Sequence, residues 1–406
     1  MTPANQTGPQ MPLRTRDHDQ PHVVVVGAGY AGIHAALAAR RHGADVTVVD
    51  ATGMHEFGTR LAGVAGGRAP SGDGWAAVDE LTDLDVERAW VAGIDGAGPA
   101  LILEDGTRET ADAIVVATGA ATRIPDVPGV REHTLSLKTV ADALAIRREL
   151  VEATRLIVVG GGPTGVQLAG EAANRHRHLD VTVIEAADRL LPAMPAAAGE
   201  RALHVLRRRN VDVRRSSSVQ RVTADGVVLA SGSRLDGIVV WATGYEAHGS
   251  ALLPDAETVD GRLLVDGTLR VPGTVGVFAA GDVAAHKDVF GRPLPMSAQT
   301  AVRAGAAAGR NAARAANGLP SSPALLLELG RVVTLGRNVG VGTLGPIPLA
   351  NPLLDGVVAR MHDAVDVRHL WQVGGLKGVL AHLPGRHRPG RADLRRIERP
   401  QVRSVG

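Results

Sequence analysis

The chain of 406 residues contains no cysteine. That absence excludes disulfides, thiolate metal sites and redox-active dithiols, so any electron chemistry must reside on a bound group and not on the side chains. Aromatic residues make up only 2% of the chain, and lysine occurs only at Lys138, Lys287 and Lys377, the other basic residues being arginine. This skew toward Ala, Gly and Arg is read as compositional bias, without functional meaning. No run of 18 or more apolar residues is present, and the opening stretch MTPANQTGPQMPLRTRDHDQ lacks the apolar core of a secretory leader. The expectation is a soluble cytoplasmic protein with residues 1–20 a disordered N-terminal segment. A net charge of +2 is too small to imply a nucleic-acid partner. Near the C-terminus, Arg386, Arg388, Arg391, Arg395, Arg396, Arg399 and Arg403 stand against Asp393 and Glu398. Such a run reads either as a solvated tail or as a contact for an anionic membrane surface or partner.

What the chain has in abundance is glycine, at 50 residues, and part of it is patterned. The stretch HVVVVGAGYAGIHAALAARRHGADVTVVD, residues 22–50, recurs in kind as LIVVGGGPTGVQLAGEAANRHRHLDVTVIE, residues 156–185. In the first copy four consecutive valines, Val23 to Val26, read as a buried parallel strand, because β-branched residues occur without alternation. Gly27, Gly29 and Gly32 follow, interleaved with Ala28, Tyr30 and Ala31, and open an alanine-rich helix. A second strand then ends on Asp50, eighteen residues after Gly32. The second copy has Gly160, Gly162 and Gly165, with Pro163 and Thr164 between them, and Glu185 closes its strand twenty residues after Gly165. In this constellation the first glycine permits a tight turn, the second lets a pyrophosphate approach the backbone, and the third allows close helix–strand packing. The helix N-terminus offers free N–H groups to the phosphates, and the acid accepts from a ribose hydroxyl.

Two copies offset by 133 residues, too far apart for a solenoid, imply two nucleotide-binding domains and two dinucleotides. One that accepts hydride and one that donates it would form a relay, and flavin with nicotinamide is the economical pairing. A carboxylate at Glu185 repels a 2′-phosphate and so favours NADH over NADPH, while nearby Arg189 keeps NADPH open.

The connecting segment VERAWVAGIDGAGPALILEDGTRETADAIVVATGA reads as short strands turning at Asp95-Gly96 and Asp105-Gly106, a small antiparallel meander returning to the sheet. It ends in VVATGA, carrying Ala117, Thr118 and Gly119. A near copy, VVWATGY, carries Thr243 and Gly244. A third segment, GVFAAGDVA, carries Gly281 and Asp282, and the residues after it predict a helix of about twenty residues from near Ser297 to an Asn317-Gly318 stop.

This order of two glycine loops, two Ala-Thr-Gly segments and one Ala-Gly-Asp motif resembles the pyridine-nucleotide:flavin oxidoreductases with two dinucleotide-binding domains. VVVGAGYAG, GGGPTGVQLAGE and AGDVA…MSAQTAV are most similar to the type II NADH dehydrogenase branch. The resemblance implies an α/β fold of two Rossmann-like domains, for FAD and NAD(P), with an antiparallel β-meander and a small C-terminal region. Implied boundaries are residues 21–130 for the first part of the FAD domain, 131–264 for the NAD(H) domain, 265–320 for the second FAD part and 321–406 for a C-terminal region with a basic tail. It further implies FAD on Gly27, Gly29, Gly32 and Asp50, approached by Thr118 and Gly119, with Asp282 at the ribityl-pyrophosphate. Ala298 and Gln299 map to the flavin pyrimidine edge, where a helix N-terminus compensates charge on the reduced ring. NADH would lie on the second loop. Glu171 matches a family glutamate near the nicotinamide, or is an exposed carboxylate on an alanine-rich helix.

The sequence also departs from this pattern. Arg303 occupies the last position of the family's Ala-Gln-x-Ala-x-Gln quinone pattern, and Gln167 replaces a customary glutamate. The stretch MHDAVDVRHLWQVGGLKGVLAHLPGRHRPGR is short of apolar bulk, with Trp371 its only large aromatic. Lys377, His286 and Lys287 could reach a flavin or lie on the surface. The expected activity is hydride transfer from NADH to FAD and on to a small quinone-like acceptor, without a metal. Alternatives are reduction of a ferredoxin- or rubredoxin-type protein, with the basic tail as docking patch, and an NADH-responsive signalling module that resembles the apoptosis-inducing flavoproteins. Peripheral contact with the cytoplasmic membrane face and a homodimer stay open.

Overall fold

The computed structural model describes residues 20–382, so the arginine-rich tail and nearly all of the N-terminal segment lie outside the described residues. Two five-stranded parallel sheets organise the chain. The first runs Val277–Ala279, Ala113–Val116, His22–Val26, Asp45–Val49, Asp85–Glu87. The second runs Leu135–Ser136, Ile238–Trp241, Arg155–Val159, Asp180–Ile184, Asp212–Arg214. In each, the strand that feeds a glycine loop is central. On one side lies the strand ending at the acid, and on the other the strand leading into Ala-Thr-Gly.

The run of four valines follows from this placement. Val23 and Val25 pack with the helices on one face, against residues such as Ile33 and Ala304, while Val24 and Val26 pack with Ile94, Leu101 and Leu103 of the first meander. Both faces being covered, no position on the strand is free to be polar. The second sheet repeats the rule: Leu156 and Val158 face the helical side, Ile157 and Val159 the other.

The expected meander is present as Val91–Asp95, Ala100–Leu103 and Arg108–Thr110, paired antiparallel. Its boundary differs from the sequence reading: Val86 and Glu87 belong to the edge strand of the parallel sheet, pairing with Val48 and Val49. A second three-stranded meander, Val219–Thr223, Gly226–Leu229 and Arg234–Asp236, stands at the matching place in the second unit.

The helix expected from Ser297 spans Ala298–Ala316, with Ser297 as N-cap accepting from Thr300 N at 3.2 Å and Asn317 as C-cap. It lies directly on the first glycine-loop helix, Tyr30–Arg41. A Cβ on Gly305 would stand 2.1 Å from Ala31 O, and one on Gly309 2.0 Å from Ala35 O. Backbone thus meets backbone, and the Ala-Gly-Asp segment is pressed against the first loop.

Three antiparallel strands, Val332–Thr334, Gly340–Leu344 and Ile347–Leu349, follow, then a long helix, Asp355–Ala381, kinked at Gly375 (φ 59°). Val333, Leu335 and Val341 join the core of the second unit, whereas Leu370 and Val373 join that of the first. The C-terminal region therefore spans both. Val357, Trp371, Leu376 and Leu380 of the helix are exposed, so the apolar surface that the sequence pattern understated is real and outward-facing. Among the described residues no helix is long and apolar enough to cross a membrane.

Candidate cofactor site

The glycines of both loops divide in the same way. Gly27 (φ +104°) and Gly160 (φ +115°) have backbone conformations that disfavour a side chain, and a Cβ there would approach Ala117 O at 2.6 Å and Ala242 O at 2.4 Å. Gly32 and Gly165 are packed tighter still, with Cβ positions 1.8 Å from Gly27 O and 1.9 Å from Gly160 O. Around Gly29 and Gly162 a Cβ would meet nothing within 4 Å. Packing demands the first and third glycines, whereas the second lies open to the outside. Each second glycine sits at the N-terminus of a helix, Tyr30–Arg41 or Pro163–Arg175, where unpaired N–H groups favour an anion.

The two acids also behave alike. Asp50 Oδ2 accepts from Ala28 N at 2.9 Å, and its Oδ1 from Thr52 N at 2.8 Å. Glu185 Oε2 accepts from Gly161 N at 2.6 Å and Oε1 from Ala187 N at 2.7 Å. Each carboxylate therefore holds its own loop in shape; Asp50 Oδ1 also accepts from Thr52 Oγ1 at 2.8 Å and Gly53 N at 2.9 Å, so a further donor would have to approach Oδ2, whereas Glu185 takes one bond on each oxygen. Arg189 donates to the carbonyls of Met194 (2.8 Å) and Pro192 (2.6 Å).

The Ala-Thr-Gly and Ala-Gly-Asp segments end beside these loops. Ala117 and Ala242 abut the first glycines, Gly119 and Gly244 have positive φ with open space around them, and the buried Thr243 hydroxyl has no partner among the described residues. Asp282 lies in the turn Gly281–Val283, and its Oδ2 receives Lys138 Nζ at 3.2 Å. His286 is buried and its Nε2 accepts from Gly281 N at 3.1 Å, so it braces this turn from beneath. Burial lowers it to about 3 and keeps it neutral. Lys287 is exposed, as is Lys377 on the C-terminal helix.

Ala298 and Gln299 open their helix as expected. Gln299 Oε1 accepts from Leu329 N at 3.3 Å, and Arg303 one turn on donates to Leu327 O at 2.8 Å. The departure at Arg303 thus ties down an extended segment whose Leu325, Leu327 and Leu329 are exposed.

Glu171 is 1% exposed, which rules out the surface alternative. Arg68 Nε meets its Oε1 at 2.8 Å, and Oε2 has no hydrogen-bond partner among the described residues. Burial raises this carboxyl, against the pull of Arg68. Gly66 of the first unit packs on it so closely that a Cβ there would lie 2.6 Å from Glu171 Cβ. Glu171 therefore sits where the two units touch. Gln167 is within 3.3 Å of Thr334 Oγ1 and 3.4 Å of His362 Nε2, linking the second helix to the C-terminal region.

Several participants were not foreseen. His55 Nδ1 is 2.9 Å from Ala28 O in the first loop, His55 Nε2 is 2.9 Å from His369 Nε2, and His369 Nδ1 is 3.1 Å from His34 Nε2. The carbonyl end sets the tautomers: His55 donates to Ala28 and accepts from His369, which accepts from His34. All three are buried. Burial lowers His34 and His55 to about 4, and His369 is held below its ordinary range by burial and by the other two rings. Beside them Arg60 Nε pairs with Asp366 at 3.0 Å, and Thr59 Oγ1 donates to the same carboxylate at 2.5 Å while meeting Tyr30 OH at 3.1 Å. Tyr30 is thus held in an aromatic and polar cluster under the C-terminal helix, its phenol pushed up by burial. No spacing rule could bring these residues together.

Two parallel sheets, each ending in a glycine loop with an acid on the neighbouring strand, define an α/β protein with paired dinucleotide-binding units. Residues 21–305, over two thirds of the chain, match the family described as pyridine nucleotide-disulphide oxidoreductase, and the chain belongs to it. It is an oxidoreductase that works with FAD and a nicotinamide nucleotide. A type II NADH:quinone oxidoreductase of Staphylococcus aureus is 25% identical over 397 residues, covering 88% of this chain and 97% of that protein. The fold is similar to that of NDH2 from Plasmodium falciparum in complex with NADH, with a TM-score of 0.75, 16% identity and coverage of 89% and 97% of the two chains. It is also similar to the ferredoxin reductase for the CYP199A2 system from Rhodopseudomonas palustris, with a TM-score of 0.70, 20% identity and coverage of 80% and 82%.

Proposed function

We propose that this chain oxidises NADH and passes the electrons through FAD to a quinone-like small molecule. The observation that carries this reading is the pair of glycine loops in which only the second glycine, Gly29 or Gly162, faces open space. When bound, the nicotinamide supplies a hydride and the flavin accepts it and releases electrons singly or in pairs.

The chain's own residues supply placement and electrostatics. Gly27 to Gly32 and Asp50 hold the FAD pyrophosphate and ribose, with Ala117, Thr118, Gly119, Gly281 and Asp282 along the remainder. Gly160 to Gly165, Glu185, Thr243 and Gly244 hold NADH. Commitment of Arg189 to two backbone carbonyls supports NADH over NADPH. Ala298 and Gln299 set a helix N-terminus of 19 residues against the flavin. Buried Glu171, with one oxygen unpartnered among the described residues, serves as the carboxyl between the units. Residues 21–130 and 265–320 make the FAD domain, 131–264 the NAD(H) domain and 321–406 the C-terminal region, a division that the membership of the two sheets supports. The exposed Leu353, Val357, Trp371, Leu376 and Leu380 support peripheral contact with a membrane face, where a quinone would be met.

The test is anaerobic. The purified protein is expected to show a flavin spectrum, to bleach with NADH more readily than with NADPH, and to regain colour when a soluble quinone is added. A colourless protein that cannot be reconstituted with FAD would overturn the assignment of the first loop. Bleaching that no quinone reverses would overturn the acceptor and turn the search toward protein partners.

A further inference from the structure

Between the sheets, the backbone of segment 137–140 is held by three residues. Lys138 N and Thr139 N both donate to Asp142 Oδ2 at 2.9 Å, closing a capping box at the start of the helix Val140–Glu149. Val140 N donates to Glu56 of the first unit at 3.2 Å. Leu137 O accepts from Tyr245 OH of the second unit at 3.3 Å. From this fixed backbone the Lys138 side chain reaches Asp282 Oδ2 at 3.2 Å, and its Nζ lies 4.3 Å from the centroid of the Tyr245 ring. The Tyr245 hydroxyl in turn meets Thr164 Oγ1 at 2.9 Å, in the first turn of the helix that follows the second glycine loop.

The path Asp282, Lys138, Tyr245, Thr164 is thus continuous from the Ala-Gly-Asp motif of one unit to the glycine loop of the other. Lys138 is 26% exposed and Asp282 19%, so the ion pair is only partly screened by solvent. One ammonium group serves a carboxylate and an aromatic face together, and both attractions depend on its position.

We infer that Lys138 is a positioning residue that couples the two nucleotide sites, so that filling the first sets the second. The inference rests on the cofactor assignment proposed above. A ligand that engages Asp282 changes the hold on Lys138. That hold orients the Tyr245 ring, and the Tyr245 hydroxyl fixes the Thr164 side chain beside the second loop. Seating FAD therefore prepares the second loop, and NAD+ binds more tightly to the loaded protein.

The test is an equilibrium titration of NAD+ into the apoprotein and into the FAD-loaded protein, by calorimetry, for wild type, K138M, K138R and Y245F. In the wild type, FAD is expected to tighten NAD+ at least about fivefold, the lower end of typical couplings. K138M brings that factor close to one, and K138R, which keeps the charge and the ring contact, preserves most of it. Y245F keeps the ring under Lys138 but loses the hydroxyl bond to Thr164, and lowers the factor as well. A second readout, the limiting rate of flavin bleaching at saturating NADH, falls with K138M while bound FAD stays stoichiometric. An unchanged NAD+ coupling factor in K138M, or in Y245F where K138M does not fold, overturns the coupling. A wild-type protein that binds no FAD overturns the cofactor assignment beneath it, which separates the two failures.

Discussion

Alanine at the second and third glycines of each loop should have opposite consequences. Gly29 has φ −72° and ψ −173° and Gly162 φ −73° and ψ −177°, backbone geometry that alanine adopts freely, and the added methyl meets no protein atom. G29A and G162A should leave the apoprotein within about 1 kcal/mol of wild type, the lost freedom of the unfolded chain being offset by the poorer N-cap that alanine makes. On the cofactor placement proposed above the methyl would stand between a pyrophosphate and the backbone, so G29A should lose FAD and G162A should weaken NAD+. At Gly32 and Gly165 the methyl carbon would lie 1.8 and 1.9 Å from a carbonyl oxygen, well inside any tolerable contact. The helix must move away from its strand, and overpacking of this kind costs about 1–3 kcal/mol or more. At roughly 2–4 °C per kcal/mol for a unit of 150–250 residues, the melting temperature should fall by about 2–12 °C. Thermal unfolding of the four apoproteins, with FAD titrated by absorbance and NAD+ by calorimetry, gives the full pattern. A G29A protein that unfolds far below wild type, or that holds FAD as tightly, would refute the assignment of the second glycine to ligand access.

Three further outcomes follow from buried charges. Asp366→Ala leaves Arg60 buried without its carboxylate, since the pair is 8% and 7% exposed, and should cost about 3–5 kcal/mol in denaturant unfolding, with most of it recovered when both are replaced by leucine. His34 and His55 titrate near 4 when folded, against 6.5 ordinarily, so below about pH 6.5 the unfolded chain takes up more protons than the folded one. Stability is complete above that pH and should decline as pH falls toward 4, on the order of 3 kcal/mol per histidine; a flat profile over that range would contradict the neutral chain of imidazoles. Glu56 runs the other way: burial raises it from 4.5 to about 7, so the folded protein retains a proton there that the unfolded chain has lost, and its own contribution falls as pH rises from 4.5 to 7, offsetting part of the gain from the histidines. E56Q should therefore steepen the rise in stability between pH 5 and pH 7, as read from denaturant unfolding at the two values.

Much of the fold was legible because its signals are local. Four valines in a row mean a strand covered on both faces, and a glycine loop is read from six neighbouring residues. The second meander was missed although its turns carry Asp225-Gly226 and Ser231-Gly232, signals of the same kind as those read in the first, because its strands are only three to five residues long. Glu171 shows the limit on single residues. The pattern Leu-Ala-Gly-Glu could place it near a nicotinamide or on a surface, and only the approach of Gly66 and Arg68 from the other unit makes it a buried carboxyl. The C-terminal helix was undervalued because its apolar residues were weighed by number, while their outward orientation depends on which side the core takes.

By itself the sequence determined the two glycine loops between strand and helix, their acids, the order of the motifs and the absence of thiol chemistry. Each of these is carried by residues close together in the chain, whose geometry follows from backbone conformation and strand or helix periodicity. Only the tertiary structure decided that Lys138 meets Asp282 across 144 positions, that Arg60 meets Asp366 across 306, and that His34 meets His369 across 335. Such pairs carry no local signature. They exist because burial of the two cores brings distant polar groups into one dry region, where each must find a partner or bear the full cost of its lost hydration.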